Sequence, residues 1–286
     1  MGLGKYTANI LPDKEDAFWE SEELMENALA DYLEEQMSKI QINTEEKKKE
    51  IAGEIQRSLI KFKEEFPKEQ QFLEQQLRTT RDAIVYSFIS FNYTNALDTC
   101  VDLTKEIIKK DFGNHKTDNG SIFSHIVGDV LHIHGTTKEE LILGVNDVSQ
   151  IANDTFNENV FYQQCLIKGE ANKRLGQNKI QDARNIIDSS MTICIFGMSI
   201  GETDRMWWEY LGKWLLSSSN RRLVIFAKND NLSGRITQRS LFFSQNELLE
   251  KFRENTGLEN DEWNKIQGNI YIKYNSNLFD FKIVNN

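Results

Sequence analysis

Three short segments carry side chains suited to chemistry, and each follows an apolar run. Asn92-Tyr93-Thr94-Asn95 comes after Ile84–Phe91, His134-Gly135 after Val130–Ile133, and Gly197-Met198-Ser199-Ile200-Gly201-Glu202-Thr203-Asp204 after Met191–Phe196. His134, an imidazole followed by a glycine that admits close approach, suits a general base. A two-residue period puts His132 on the same strand face, with Leu131 and Ile133 on the other. Behind the general-base reading come two satisfied structural histidines and, last, two metal ligands, which would need a carboxylate as third ligand. Asn92, Thr94 and Asn95 offer carboxamides and a hydroxyl to an amide or a sugar. Thr94 or Asn95 would serve as well as the N-cap of the helix that follows.

The third segment is a strand–turn–helix junction with Gly-x-x-x-Gly. It has no P-loop lysine, which excludes a nucleotide triphosphatase of that type. Glu202 and Asp204 at the helix start oppose a bound phosphate. They suit accepting hydrogen bonds from ribose hydroxyls, or simply complement the helix dipole. The aromatic stripe of Trp207, Trp208, Tyr210 and Trp214 reads as packing more readily than as a base-stacking platform.

Such segments need elements to hold them. Strands are expected near 83–91, 129–134, 140–144, 190–196, 222–227 and 269–274. Helices are expected over 95–110, 157–175, 178–188, 202–217 and 236–254, with a loop over 113–128. That alternation predicts an α/β fold with a mostly parallel, Rossmann-like sheet flanked by helices. Parallel strands present their carboxyl ends at one edge, so the three segments are expected to share one pocket. Ahead of residue 81 lies a helical segment, 1–80, packing on the α/β domain of 81–286. Its first helix would turn Phe18, Leu24, Ala28, Tyr32 and Leu33 to one face. A second would span Thr44–Phe66 with Thr44 as N-cap, and a third Glu69–Thr79. Gly2-Leu3-Gly4 has no strand before it, so the sheet is expected to lack its first strand and glycine-rich turn. Apolar sheet surface would then be exposed on one side.

Composition removes several function classes. A net charge of −10 opposes nucleic acid and anionic membrane as main partners. No apolar run approaches the ~20 residues of a membrane span, and Met1–Pro12 lacks a signal-peptide core. The three cysteines, Cys100, Cys165 and Cys194, form neither a disulfide framework nor a zinc module, so no metal is expected. Cys194 is expected as a buried, inert thiol, and the compartment as the reducing cytoplasm.

In this order and spacing, Ser90–Asp98, Leu131–Gly135, Leu141–Val145 and Phe196–Asp204 resemble the bacteriophage abortive-infection family AbiH. That family looks like a divergent branch of the sirtuin-like domains. The resemblance runs over about 15–285, including Asn277–Phe281, and implies a sirtuin-like fold and a pocket for NAD as substrate or ligand. It implies His134 and Asn92 as catalytic residues at the nicotinamide ribose, with Tyr93, Thr94, Asn95 and Gly135 beside them. Gly197 and Ser199 would meet the adenosine side, with Glu202 and Asp204 near its ribose. The implied activity is hydrolysis of the nicotinamide–ribose bond, once a glycine-rich N-terminal segment is supplied. The alternative is a non-catalytic nucleotide sensor or protein-interaction module. Partners implied are a nucleotide, another copy of the chain or a phage-derived trigger.

Overall fold

A computed structural model describes residues 15–67, 72–109, 112–139, 141–176, 178–232 and 237–281. They form an α/β protein of two compact units with small sheets and many helices. The described chain up to Leu143, with the return segment from Asn277, makes the first; Gly144–Ser276 makes the second. No described helix is long and apolar enough to cross a membrane.

The first unit contains α1 (Glu15–Ser38), α2 (Glu45–Lys61), α3 (Phe72–Thr79), β1 (Ile84–Ser90), α4 (Ala96–Ile108), β2 (Asn114–Lys116) and β3 (Ile122–His132). Thr44 caps α2 as its type predicts, its side chain accepting from the Lys47 N–H at 3.2 Å. Ile51 and Ile55 of α2, Cys100 of α4 and Phe112 form a buried cluster, joined by Tyr86 and Val127 of the sheet and by Phe279 and Phe281. The return segment is tied to α2 by polar bonds too. Phe279 N–H donates to Ser58 Oγ at 2.8 Å, and the Arg57 guanidinium to the Asn277 carbonyl at 2.7 Å.

The face expected of α1 is not the one it packs. Phe18 is buried and Leu33 partly so, but Leu24, Ala28 and Tyr32 are exposed. Six residues rotate a helix by roughly 600°, so Phe18 and Leu24 point about 120° apart. Helical geometry instead groups Phe18 with Glu22, Leu29 and Leu33.

The sheet of this unit has the order β1-β3-β2 and is mixed: β1 runs parallel to β3, β2 antiparallel. Helices lie over one face; on the other, the paired Val85 and Ile126 stand exposed. The pairing slips by one residue between Tyr86 and Phe88, a bulge in β3. His125 opposite Ile84 and His132 opposite Ser90 thereby share the helix-covered face, although seven residues apart. The expected loop over 113–128 is a hairpin with its turn at Asp118-Asn119, whose turn residues mark only the tip.

The second unit holds α5 (Asp154–Glu158), α6 (Val160–Leu166), α7 (Lys168–Arg174), α8 (Lys179–Ser189), β4 (Thr192–Phe196), α9 (Arg205–Leu216), β5 (Arg222–Ala227), α10 (Gln238–Thr256), α11 (Asn260–Ile266) and β6 (Ile270–Tyr274). Its sheet, β4-β5-β6, is parallel throughout. The expected single, mostly parallel sheet is therefore replaced by two three-stranded sheets, one mixed. Trp207, Trp208 and Trp214 of α9 are buried, Trp208 edge-on to Phe252 of α10, which agrees with the packing reading.

Two local expectations fail here, and a third holds only in part. Residues 157–175 form separate short helices, because Asn153 and Asn159 cap new ones and Ile167 turns extended. Residues 141–144 are not a strand; a single bridge joins Val145 to Ile167, where the backbone passes close by Leu166. Cys194 keeps exposed surface because β4 is an edge strand of its sheet, although its in-register neighbour Val224 is buried and desolvation pushes the thiol up to about 12, which agrees with an inert thiol.

Candidate functional site at the ends of β1 and β3

The first unit gathers its chemistry where β1 and β3 end. Ser90 closes β1; its carbonyl accepts the Ile133 N–H at 3.0 Å and its hydroxyl the Asn92 N–H at 3.2 Å. These bonds bring the Asn92 turn against the end of β3. His132 is the last residue of β3 and is buried between two acceptors. Its Nδ1 lies 3.0 Å from the Asn92 carbonyl oxygen, and its Nε2 lies 2.7 Å from Asp98 Oδ2 in the first turn of α4.

A neutral imidazole has a single N–H. Satisfying both contacts therefore takes an imidazolium against a carboxylate, or a neutral ring against a carboxylic acid.

His134 does not extend the strand. It lies in a turn beyond β3, so the two-residue period that would align it with His132 stops before it. Its ring is buried, edge-on to Phe91 at 5.5 Å and tilted against Tyr93 at 6.3 Å between centroids. The Tyr93 hydroxyl donates to the Ile142 carbonyl (3.3 Å), and the Ile142 N–H to the His134 carbonyl (3.0 Å). Gly135 then takes φ +74°, a left-handed conformation that favours glycine and turns the chain sharply. Asn92 is exposed, while Tyr93, Thr94 and Asn95 are partly buried. Asn95 occupies the N-cap position of α4, yet its side chain makes no capping bond.

The model of the bacteriophage abortive-infection family AbiH matches residues 5–226, more than three quarters of the chain. The chain belongs to that family. Membership links it to bacteriophage abortive infection. No curated protein and no solved structure matches it. The Asn277–Phe281 segment lies beyond the AbiH match, although it completes the core of the first unit.

The remaining predicted residues of this AbiH chain belong to the second unit. Gly197 and Ser199 are exposed after β4, Gly197 with φ +63°. Glu202 and Asp204 form a 3-10 turn entering α9. Asp204 makes no side-chain cap; its carboxylate lies 3.7 Å from the Lys168 ammonium. Among the described residues no group of three or more His, Cys, Asp or Glu is placed to hold a metal ion.

Two features escape sequence reasoning. Asp98 is the partner of His132, and only its place one turn past Asn95 hinted that it could reach a strand end. The second histidine pair, His115 and His125, lies in the segment expected to be a loop. Tyr86 Oη is 3.0 Å from His125 Nδ1, His125 Nε2 3.3 Å from His115 Nδ1, and His115 Nε2 3.0 Å from the Thr80 carbonyl. Both rings can be neutral in this chain, each donating onward toward Thr80. Burial holds His125 down to about 4, with His115 and the Lys63 ammonium adding to the effect.

Proposed function

We propose that this AbiH member acts in phage defence by binding NAD and hydrolysing its nicotinamide–ribose bond. What supports the reading is the grouping at the ends of β1 and β3 of a carboxamide-bearing residue (Asn92), a carboxyl–imidazole contact (Asp98–His132) and a further imidazole (His134). Asn92 holds the reacting sugar or the nicotinamide amide. The C1′–N bond breaks with its electron pair leaving on nicotinamide, and water adds to the cationic C1′. His134 takes the proton of that water or orients a ribose hydroxyl, and the proton passes to solvent. The products are ADP-ribose, nicotinamide and a proton. Tyr93, Thr94, Asn95 and Gly135 line the approach, and Tyr93 has to swing aside for a ligand to reach His134.

That burial of His134 favours a second reading, a nucleotide sensor or interaction module without turnover. Cells carrying the chain separate the two when NAD and nicotinamide are quantified during phage infection. Hydrolysis predicts loss of NAD on infection, and His134→Ala slows that loss roughly 100-fold or more, the usual scale for an acid–base group. NAD that stays intact while His134→Ala still protects would overturn the hydrolase. Intact NAD with protection lost in Asn92→Ala would favour the sensor.

A further inference from the structure

The first unit carries an element that the proposed chemistry does not use. Helix α1, 24 residues and about 36 Å long at 1.5 Å per residue, holds nine Asp and Glu and no Lys, Arg or His. Acidic residues continue through Glu34 to Glu35 in its last turn, where the helix dipole disfavours them. Among the described residues the α1 carboxylate paired with a cation is Glu35, 2.9 Å from Lys39 Nζ. On its partly buried side Glu22 and Glu26 share a hydrogen bond, and burial followed by the charge of Glu26 pushes Glu22 up to about 7. Among the described residues the helix therefore carries negative charge that a cation pairs with at Glu35.

The same helix exposes apolar surface. Leu24 is 69% and Tyr32 57% exposed, and with Ala28 they form a ridge at four-residue spacing; Met25 lies beside it at 49%. At 100° per residue, Glu20, Glu23, Asp31 and Glu34 form a row next to that ridge. An apolar ridge with an acidic margin is the complement of a helix that has apolar residues on one side and Lys or Arg at their border. Another α1 would bring nine further acidic residues against these nine, and nucleic acid or anionic lipid would be repelled in the same way.

We propose that the outer side of α1 docks a basic amphipathic helix of another protein, with the Leu24–Ala28–Tyr32 ridge as the apolar anchor and the acidic row as the charge guide. The anchor sets how long the partner stays, and the charges set how fast and how selectively it arrives.

The test uses the full chain and a synthetic Leu/Lys amphipathic peptide of about 18 residues, five turns of helix, with a Leu/Glu peptide of equal length as control. Affinity is followed by fluorescence anisotropy across a salt series. Leu24→Ser with Tyr32→Ser is expected to weaken binding about 10-fold while leaving its salt dependence intact. Glu20→Gln with Glu23→Gln and Glu34→Gln is expected to weaken it similarly and to flatten that dependence. Glu247→Gln, Glu250→Gln and Glu254→Gln on α10, an equal change of charge elsewhere, should leave binding as it was. The proposal is overturned if the α10 set weakens binding as much as the α1 sets, or if neither α1 set matters. It is overturned equally if sedimentation finds a dimer that Leu24→Ser with Tyr32→Ser disperses, since the ridge would then be a contact between copies.

Discussion

At the scale of single residues, the four histidines of the chain divide into two buried pairs with different protonation logic. His132 stands between two acceptors, a carboxyl group and a backbone carbonyl. His125 stands between a phenol and another imidazole, an arrangement complete without an extra proton. Because its folded-state value is lowered from 6.5 to about 4, the unfolded chain binds a proton there more readily than the folded chain between those values. The contribution of His125 to stability is therefore whole above about 6.5 and is lost as pH falls toward 4. Urea unfolding at pH 7.5 and 4.5 should differ by roughly 2 kcal/mol from this group, taking part of the 1.4 kcal/mol per pH unit of linkage. His125→Gln, which keeps a hydrogen-bonding side chain without titrating, should flatten the acid limb. An acid limb as steep as that of the wild type would remove His125 as its cause.

At the scale of elements, close backbone approach shapes the second unit as much as propensity does. A Cβ on Gly144 would sit 2.3 Å from the Leu166 carbonyl oxygen, a backbone atom that cannot rotate away. That contact accompanies the Val145–Ile167 bridge, in which Val145 N–H donates to the Leu166 carbonyl at 2.8 Å and Lys168 N–H to the Val145 carbonyl at 3.0 Å. Gly144→Ala must therefore separate the two segments or bend them. A loss of roughly 2–4 kcal/mol is expected, the range of strain and broken hydrogen bonds combined. Thermal melting reads it, and faster amide exchange at Val145 and Lys168 would locate the damage. A variant that melts with the wild type would mean that the bridge shifts at little cost.

On the scale of the whole molecule, the chain end matters to the first unit although it is far from it in sequence. Leu278 is buried, and Phe279 and Phe281 join the cluster built by α2 and α4. Ending the chain at Ser276 removes these side chains together with the bonds to Ser58 and Arg57. At ~1.5–3 kcal/mol for each large apolar side chain fully buried, and less for the partly exposed phenylalanines, the first unit should lose roughly 3–5 kcal/mol. Hydrogen exchange should show protection falling in α2, α4 and β1. Unchanged protection in those elements would show that the return segment adds nothing to the core.

The amino-acid order by itself determined most element types, because hydrophobic period and capping act over a few residues. Thr44 is the cap of α2, β5 occupies the expected Arg222–Ala227, and the aromatic stripe of α9 is buried. The motifs around Asn92, His134 and Ser199 also marked strand ends correctly, and their order carried the family. Local pattern could not decide what depends on residues distant in sequence. Whether an apolar ridge such as Leu24–Ala28–Tyr32 finds a neighbour is one such question. The mixed first sheet is another, since the turn residues at 118–120 are compatible with loop and hairpin alike until β3 offers β2 its hydrogen bonds. The bulge between Tyr86 and Phe88 is a third. By shifting register one residue it puts His132 on the face of α4, where Asp98 is waiting. A pairing made across 34 positions of chain follows from strand register and helix placement together, and only the folded structure fixes both.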